Sequence, residues 1–200
     1  ATSSRCVTGL VVIDPGTELS LFGQLVVLIL IQLGGLGYMV VSTILAMAIG
    51  RKILLSDKIL IQDALQSRTF IGLLPAVKYI FFVTLIIEAI GAGLMCFTFI
   101  PQYGWAQGIY YAIFHAISAF CNAGFSLFTK NLMDYVGNPI IVFTVCGLII
   151  IGGIGYVVIN ELHKLVLGKG KLSLHTKLVL AVTASLILFG MVFLLFAESA

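Results

Sequence analysis

The chain has 200 residues, 60% of them hydrophobic and only 10% charged, with a net charge of +3. A water-soluble domain carries about 25% charged residues, so an ordinary soluble globule is excluded. The small net charge, without interleaved basic and aromatic residues, also argues against nucleic acid as a partner. Lipid is the solvent that remains.

The charges are clustered. Leu19 to Gly50 has none, Tyr79 to Thr129 has only Glu88, and Tyr135 to Asn160 and Leu178 to Ala197 have none. Each run is long enough for a hydrocarbon core that takes roughly 20 apolar residues.

In chain order, Ala1-Thr-Ser-Ser-Arg-Cys has no initiator Met and no signal-peptide pattern, and reads as the inside of a pore loop in a longer transporter. Residues 1–50 then form a filter loop and its following helix, the end of a first repeat. Asp14 and Glu18 flank the outer mouth, where they concentrate cations, or else Thr17 and Glu18 start the helix after the Pro15-Gly16 turn. Residues 51–74 form a loop holding a short interfacial helix over Ser56 to Ser67. Residues 75–160 are a whole second repeat of helix, pore helix, filter loop and helix. Residues 161–174 are a second loop, and 175–200 the first helix of a third repeat.

Basic residues assign the sides. Arg51, Lys52, Lys58, Arg68 and Lys78 fall in one loop region, and Lys164, Lys169, Lys171 and Lys177 in another. The positive-inside rule puts both in the cytoplasm, with Lys78 and Lys177 snorkelling at the inner helix ends. An even number of crossings must separate the two regions. Residues 79–100 and 137–160 supply two, so the apolar segment 105–126 must enter and leave on the outer side. Pro101-Gln102-Tyr103-Gly104 is a turn signal. Trp105 to Phe120 reads as a short helix, and Cys121-Asn122-Ala123-Gly124-Phe125 breaks it. Irregular backbone at membrane depth survives only when buried in protein or lining a watery cavity.

Self-similarity supports the same reading. Gln32-Leu-Gly34-Gly35-Leu-Gly37-Tyr38 returns 118 residues later as Ile150-Ile-Gly152-Gly153-Ile-Gly155-Tyr156. Cys6-Val-Thr-Gly9-Leu10 returns 115 residues later as Cys121-Asn-Ala-Gly124-Phe125. Lys78, Thr84 and Gly91 return 99 residues later as Lys177, Thr183 and Gly190. The repeats run in one direction, unlike inverted transporter halves. The fold expected is therefore an all-α membrane protein of repeated helix–pore loop–helix units. The parent should hold at least three, and pore symmetry favours four.

The loops Val7-Thr8-Gly9 and Asn122-Ala123-Gly124 are the candidate ion site, K⁺ being held by backbone carbonyls alone. The competing reading is a pair of helix-terminating turns. Gly34, Gly37, Gly152 and Gly155 are expected to pack helices against the pore loops. Glu88, deep in a span, requires a partner or a proton: it either lines an ion path or hydrogen-bonds a neighbouring helix. His115 is read as a brace rather than a proton relay. Cys6, Cys96, Cys121 and Cys146 lack CxxC spacing and read as small buried residues. Nothing pairs a base with a nucleophile, so no enzyme is expected.

The runs Val7-Thr-Gly-Leu, Gln32-Leu-Gly-Gly-Leu-Gly-Tyr, Phe114-His-Ala-Ile-Ser-Ala-Phe-Cys-Asn-Ala-Gly-Phe-Ser-Leu and Ser173-Leu-His-Thr-Lys-Leu resemble the membrane subunit of bacterial Trk/Ktr-type K⁺ transporters, the KtrB-like branch being the nearer. The resemblance covers essentially the whole chain. It implies four pore-loop repeats in one chain, K⁺ (or Na⁺) uptake without a cofactor, a homodimer in the bacterial inner membrane, and a gating nucleotide-binding ring of the KtrA/TrkA kind in the cytosol. It maps the filter onto Val7, Thr8, Gly9, Asn122, Ala123 and Gly124, and places the family's gating loop and blocking basic residue in later repeats. The second loop lacks the Thr-x-Gly-Tyr-Gly run of strict K⁺ channels, so K⁺ and Na⁺ both stay open. A Na⁺- or H⁺-coupled secondary transporter with alternating access is the alternative.

Overall fold

The computed structural model describes residues 2–10, 14–37, 73–168 and 172–199. The interfacial helix expected over Ser56 to Ser67, and Tyr38 of the first GGxGY motif, lie outside the described residues. Seven α-helices appear among those described: α1 (Thr2–Arg5), α2 (Leu21–Gly35), α3 (Leu73–Tyr103), α4 (Trp105–Phe120), α5 (Pro139–Gly153), α6 (Tyr156–Val166) and α7 (Leu174–Ser199). The chain divides into two units, Ala1–Gly153 and Ile154–Ala200.

In the first unit α3 packs along α4 and α5, and α4 also touches α5 and α2. The centre of this bundle is large and tightly filled: Ile31, Met95, Phe99 and Phe114 have no exposed surface. The periphery is apolar too, with Phe82, Ile86, Ile90 and Phe97 of α3 more than half exposed. Lipid, not water, suits that face, and close packing rather than the hydrophobic effect then holds the helices together. In α3, Lys78–Tyr103 is long and apolar enough to cross a bilayer; in the second unit, Leu174–Glu198 of α7 is as well.

The turn between α3 and α4 is tight because of two glycines. Gly104 sits at φ +80° and its N–H bonds the Ile100 carbonyl at 2.9 Å. A Cβ on Gly108 would come 2.8 Å from Ile100 Cα, so α4 lies directly against the end of α3. The helix read from Trp105 to Phe120 has those bounds. Asn138 starts α5, its Oδ1 accepting the Ile140 N–H at 3.0 Å, with Pro139 as the first helical residue, a position where its missing N–H costs nothing.

Four expectations change. The helix after the first loop begins at Leu21, not at Thr17 or Glu18, because Ser20 is its N-cap and accepts the Gly23 N–H at 3.3 Å. Residues 137–160 are not one continuous helix: α5 stops at Gly153, and Gly155 at φ +87° precedes α6. In the same way α2 stops at Gly35, with Gly37 at φ +77°. Of the four free cysteines only Cys121 is buried; Cys96 is half-buried, and Cys6 and Cys146 are exposed on the chain's surface, which a small apolar side chain tolerates in lipid.

The second unit is held by polar contacts at one end. Glu161 of α6 accepts the Ser173 N–H at 2.9 Å, and Ser173 Oγ accepts the Thr176 N–H at 3.2 Å, capping α7. The Ser173 amide beside Glu161 holds its carboxyl below the ordinary carboxylate range, with help from the Thr176 hydroxyl.

Candidate functional site

The two loops have one backbone design. Each follows a helix end, α1 or α4. In each, the Cys N–H closes a last turn: Cys6 to the Thr2 carbonyl at 2.8 Å, Cys121 to the Ile117 carbonyl at 2.9 Å. Two residues on, an N–H reaches back five positions: Thr8 to the Ser3 carbonyl at 3.0 Å, Ala123 to the Ser118 carbonyl at 2.8 Å. These bonds superimpose under the 115-residue shift seen in the sequence.

The dihedrals repeat as well. Val7 and Asn122 have φ of +54° and +57°, and Gly9 and Gly124 have +68° and +70°, whereas Thr8 and Ala123 between them are not in that region. Asparagine and glycine visit the left-handed region readily. A β-branched valine there is an outlier, and such strain persists only where the surroundings impose it. Nothing in the sequence signals Val7's conformation; only its position opposite Asn122 in the repeat does.

The loops touch each other. A Cβ on Gly124 would lie 3.6 Å from Gly9 Cα, and one on Gly9 would lie 2.7 Å from the Ala123 carbonyl oxygen. Six candidate residues, 7 to 9 and 122 to 124, are thus brought to one place.

The motif glycines divide into two kinds. Gly34 abuts the Arg5 carbonyl and Val7, and Gly152 abuts the Phe120 carbonyl and the Asn122 side chain, so each α-helix leans its small residue on its own repeat's loop. Gly35 abuts Cys121, tying the first helix to the second loop. Among the described residues a Cβ on Gly37 or Gly155 would meet nothing within 4 Å, and both glycines have positive φ just past a helix end.

Buried polar side chains hold the second loop's return limb. Ser118 Oγ donates to the Phe125 carbonyl at 2.6 Å. His115 Nδ1 is 2.7 Å from the Tyr111 carbonyl and must carry the hydrogen, since that oxygen only accepts. In the neutral ring Nε2 then accepts from Ser126 Oγ at 3.0 Å, and Ser126 Oγ accepts the Phe128 N–H at 3.0 Å. Phe128 stacks on His115 with centroids 4.7 Å apart, inside a box of Phe99, Tyr103, Tyr111 and Tyr135. This aromatic box was not foreseen, although the F/Y density of 99–135 was its signal. Of the two readings of His115, the geometry is that of a brace.

After the first loop, Gln24 of α2 donates to the Pro15 carbonyl at 3.0 Å and accepts from Tyr110 of α4 at 2.9 Å. Asp14 Oδ1 accepts the Gly16 N–H at 2.8 Å. The Thr129 hydroxyl, and then the Gly16 amide, hold the Asp14 carboxyl below its ordinary range. Glu88 is 4% exposed and accepts from Gln32 of α2 at 3.1 Å, so it bonds a neighbouring helix.

Helices long and apolar enough to cross a bilayer, no strand among the described residues, and two like loops meeting at glycines define an all-helical membrane protein built on a repeated helix–loop unit. The sequence pattern of the TrkH family, described as a cation transport protein, matches residues 1–199, and the chain belongs to that family. It is 45% identical over 186 residues to Ktr system potassium uptake protein B of Bacillus subtilis (strain 168), covering 93% of this chain and 42% of the relative. It is 40% identical over 193 residues to the protein of the same name from Vibrio alginolyticus, covering 96% and 42%. Potassium/sodium uptake protein NtpJ of Enterococcus hirae is 37% identical over 201 residues, covering 99% and 44%. The chain therefore spans less than half the length of these relatives.

Proposed function

We propose that the chain is part of a K⁺ uptake pore of the bacterial inner membrane, with Val7, Thr8, Gly9, Asn122, Ala123 and Gly124 contributing backbone carbonyls to its selectivity filter. The observation that carries the reading is the repetition of one loop backbone, dihedrals and hydrogen bonds included, at two places that meet at Gly9 and Gly124, even where it strains Val7. A φ that alternates in sign turns successive peptide groups to the same side, which lets neighbouring carbonyls replace an ion's water shell. The negative end of α4, equivalent to roughly half an elementary charge, terminates at the second loop and favours a cation there. An ordinary helix-terminating turn would need neither the matched valine strain nor contact between the two copies.

The relatives' names, potassium uptake and potassium/sodium uptake, agree with a monovalent cation as cargo. On this reading the parent chain carries four such loops, works as a homodimer and is gated by a cytosolic nucleotide-binding ring of the KtrA/TrkA kind; "Ktr system" in the relatives' names accords with further subunits. Channel-like conduction is preferred to alternating access because the repeats run in the same direction.

The test is ion flux into proteoliposomes carrying the full-length parent and its Gly124→Ser variant. The variant should insert normally and lose discrimination between K⁺ and Na⁺. Unchanged preference would remove these residues from the filter, and slow saturating flux with an obligatory co-ion would replace the channel by a coupled transporter.

A further inference from the structure

Between α2 and α3 lies a polar pair that the filter reading does not use. Gln32 Nε2 donates to Glu88 Oε2 at 3.1 Å. The remaining atom of each side chain, Gln32 Oε1 and Glu88 Oε1, is buried and has no hydrogen-bond partner among the described residues; Thr84 Oγ1, four residues before Glu88 on α3, is in the same state. Two oxygens cannot bond each other without a hydrogen between them. An unsatisfied buried acceptor is costly, and more so when it is charged.

Among the described residues of the neighbouring helices, no cation answers Glu88. Among the described residues, α2 and α5 carry no charged side chain, and α4 carries only His115, which is occupied by Tyr111 and Ser126. On α3 itself Lys78 is ten residues away, about 15 Å of helix. Arg5 of α1 is exposed. The Cys121 thiol, within Coulombic reach of Glu88, can add only negative charge.

The repeat sharpens this. Under the 118- and 99-residue shifts Gln32 corresponds to Ile150 and Glu88 to Ile187, while Thr84 keeps its threonine in Thr183. The two polar members thus pair the first repeat with the second, and the corresponding positions of the second and third repeats are both apolar, as expected of a pair that works as a unit.

We infer that Gln32 and Glu88 form a proton-binding site: one hydrogen on Glu88 Oε1, donated to Gln32 Oε1, closes a reciprocal acid–amide pair and satisfies both oxygens. The site is neutral, is placed beside Cys121 at the end of α4, and becomes an unpaired buried carboxylate when the proton leaves. Loss of that proton at alkaline pH would disturb the packing of α2, and with it the contacts of Gly34 and Gly35 on the two loops.

The experiment is infrared spectroscopy of the full-length parent in lipid, wild type minus Glu88→Gln, at neutral pH. It does not depend on transport, so it stands or falls apart from the filter reading. The C=O stretch of a protonated carboxyl should appear in the difference, unchanged when Na⁺ or K⁺ is replaced by choline. Carboxylate bands in its place, or a C=O band that the alkali cation abolishes, would overturn the site. Should Glu88→Gln fail to fold, wild type against Gln32→Met serves: the acid band must move when its partner is removed, and an unmoved band would overturn the reciprocal pair.

Discussion

Gly9 and Gly124 lie backbone against backbone, but their surroundings differ: a Cβ on Gly9 would press on the Ala123 carbonyl oxygen at 2.7 Å, whereas one on Gly124 finds Gly9 Cα at 3.6 Å. Gly124→Ala should therefore cost little beyond left-handed strain, about 1–2 kcal/mol. Gly9→Ala should cost more and displace the neighbouring loop. Thermal unfolding of the two full-length variants in detergent checks this; equal losses would show that the loops do not touch.

The brace between His115 and Ser126 is separable from the loop itself. Ser126→Ala leaves His115 Nε2 and the Phe128 N–H without partners in a buried setting, a loss of about 1–3 kcal/mol. Ser126→Thr retains the hydroxyl and should recover most of it. The comparison is one of unfolding temperatures, and an Ala variant as stable as wild type would deny the brace.

Gly152 and Gly155, three residues apart, should respond in opposite ways. Ala at 152 drives a methyl into the Phe120 carbonyl, so folded, monodisperse protein should fall sharply in size-exclusion chromatography. Ala at 155 meets open space and pays only the positive-φ penalty of about 1–2 kcal/mol. Equal yields would mean that α5 does not lean on the loop.

Asp14 gives a pH dependence. Its carboxyl is held below the ordinary range by Thr129 and Gly16, so the folded form favours the ionised group. The resulting stabilisation is present above the unfolded-state value, about 3.9, and disappears as pH falls through the lower folded value. Wild type should exceed Asp14→Asn in stability at neutral pH, and the gap should close on acidification. A gap that persists in acid would assign the effect to something other than ionisation.

What the amino-acid order determined alone is the membrane setting, the repeat and the bounds of the helix that follows the Pro101–Gly104 turn. Charge-free runs, the asymmetry of lysine and arginine, and matched glycines are one-dimensional signals, and they located α4 from Trp105 to Phe120 to the residue. Tertiary structure decided which loop each glycine leans on, because Gly34 and Gly35 are the same letter side by side, yet one abuts Arg5 and Val7 and the other Cys121. It also decided that Val7 takes a conformation its own chemistry disfavours, since hydrogen bonds from the loop outweigh a local preference of one or two kcal/mol. The partner of Glu88 was equally hidden: Gln32 is 56 residues away, and only the folded bundle brings its amide to the carboxyl.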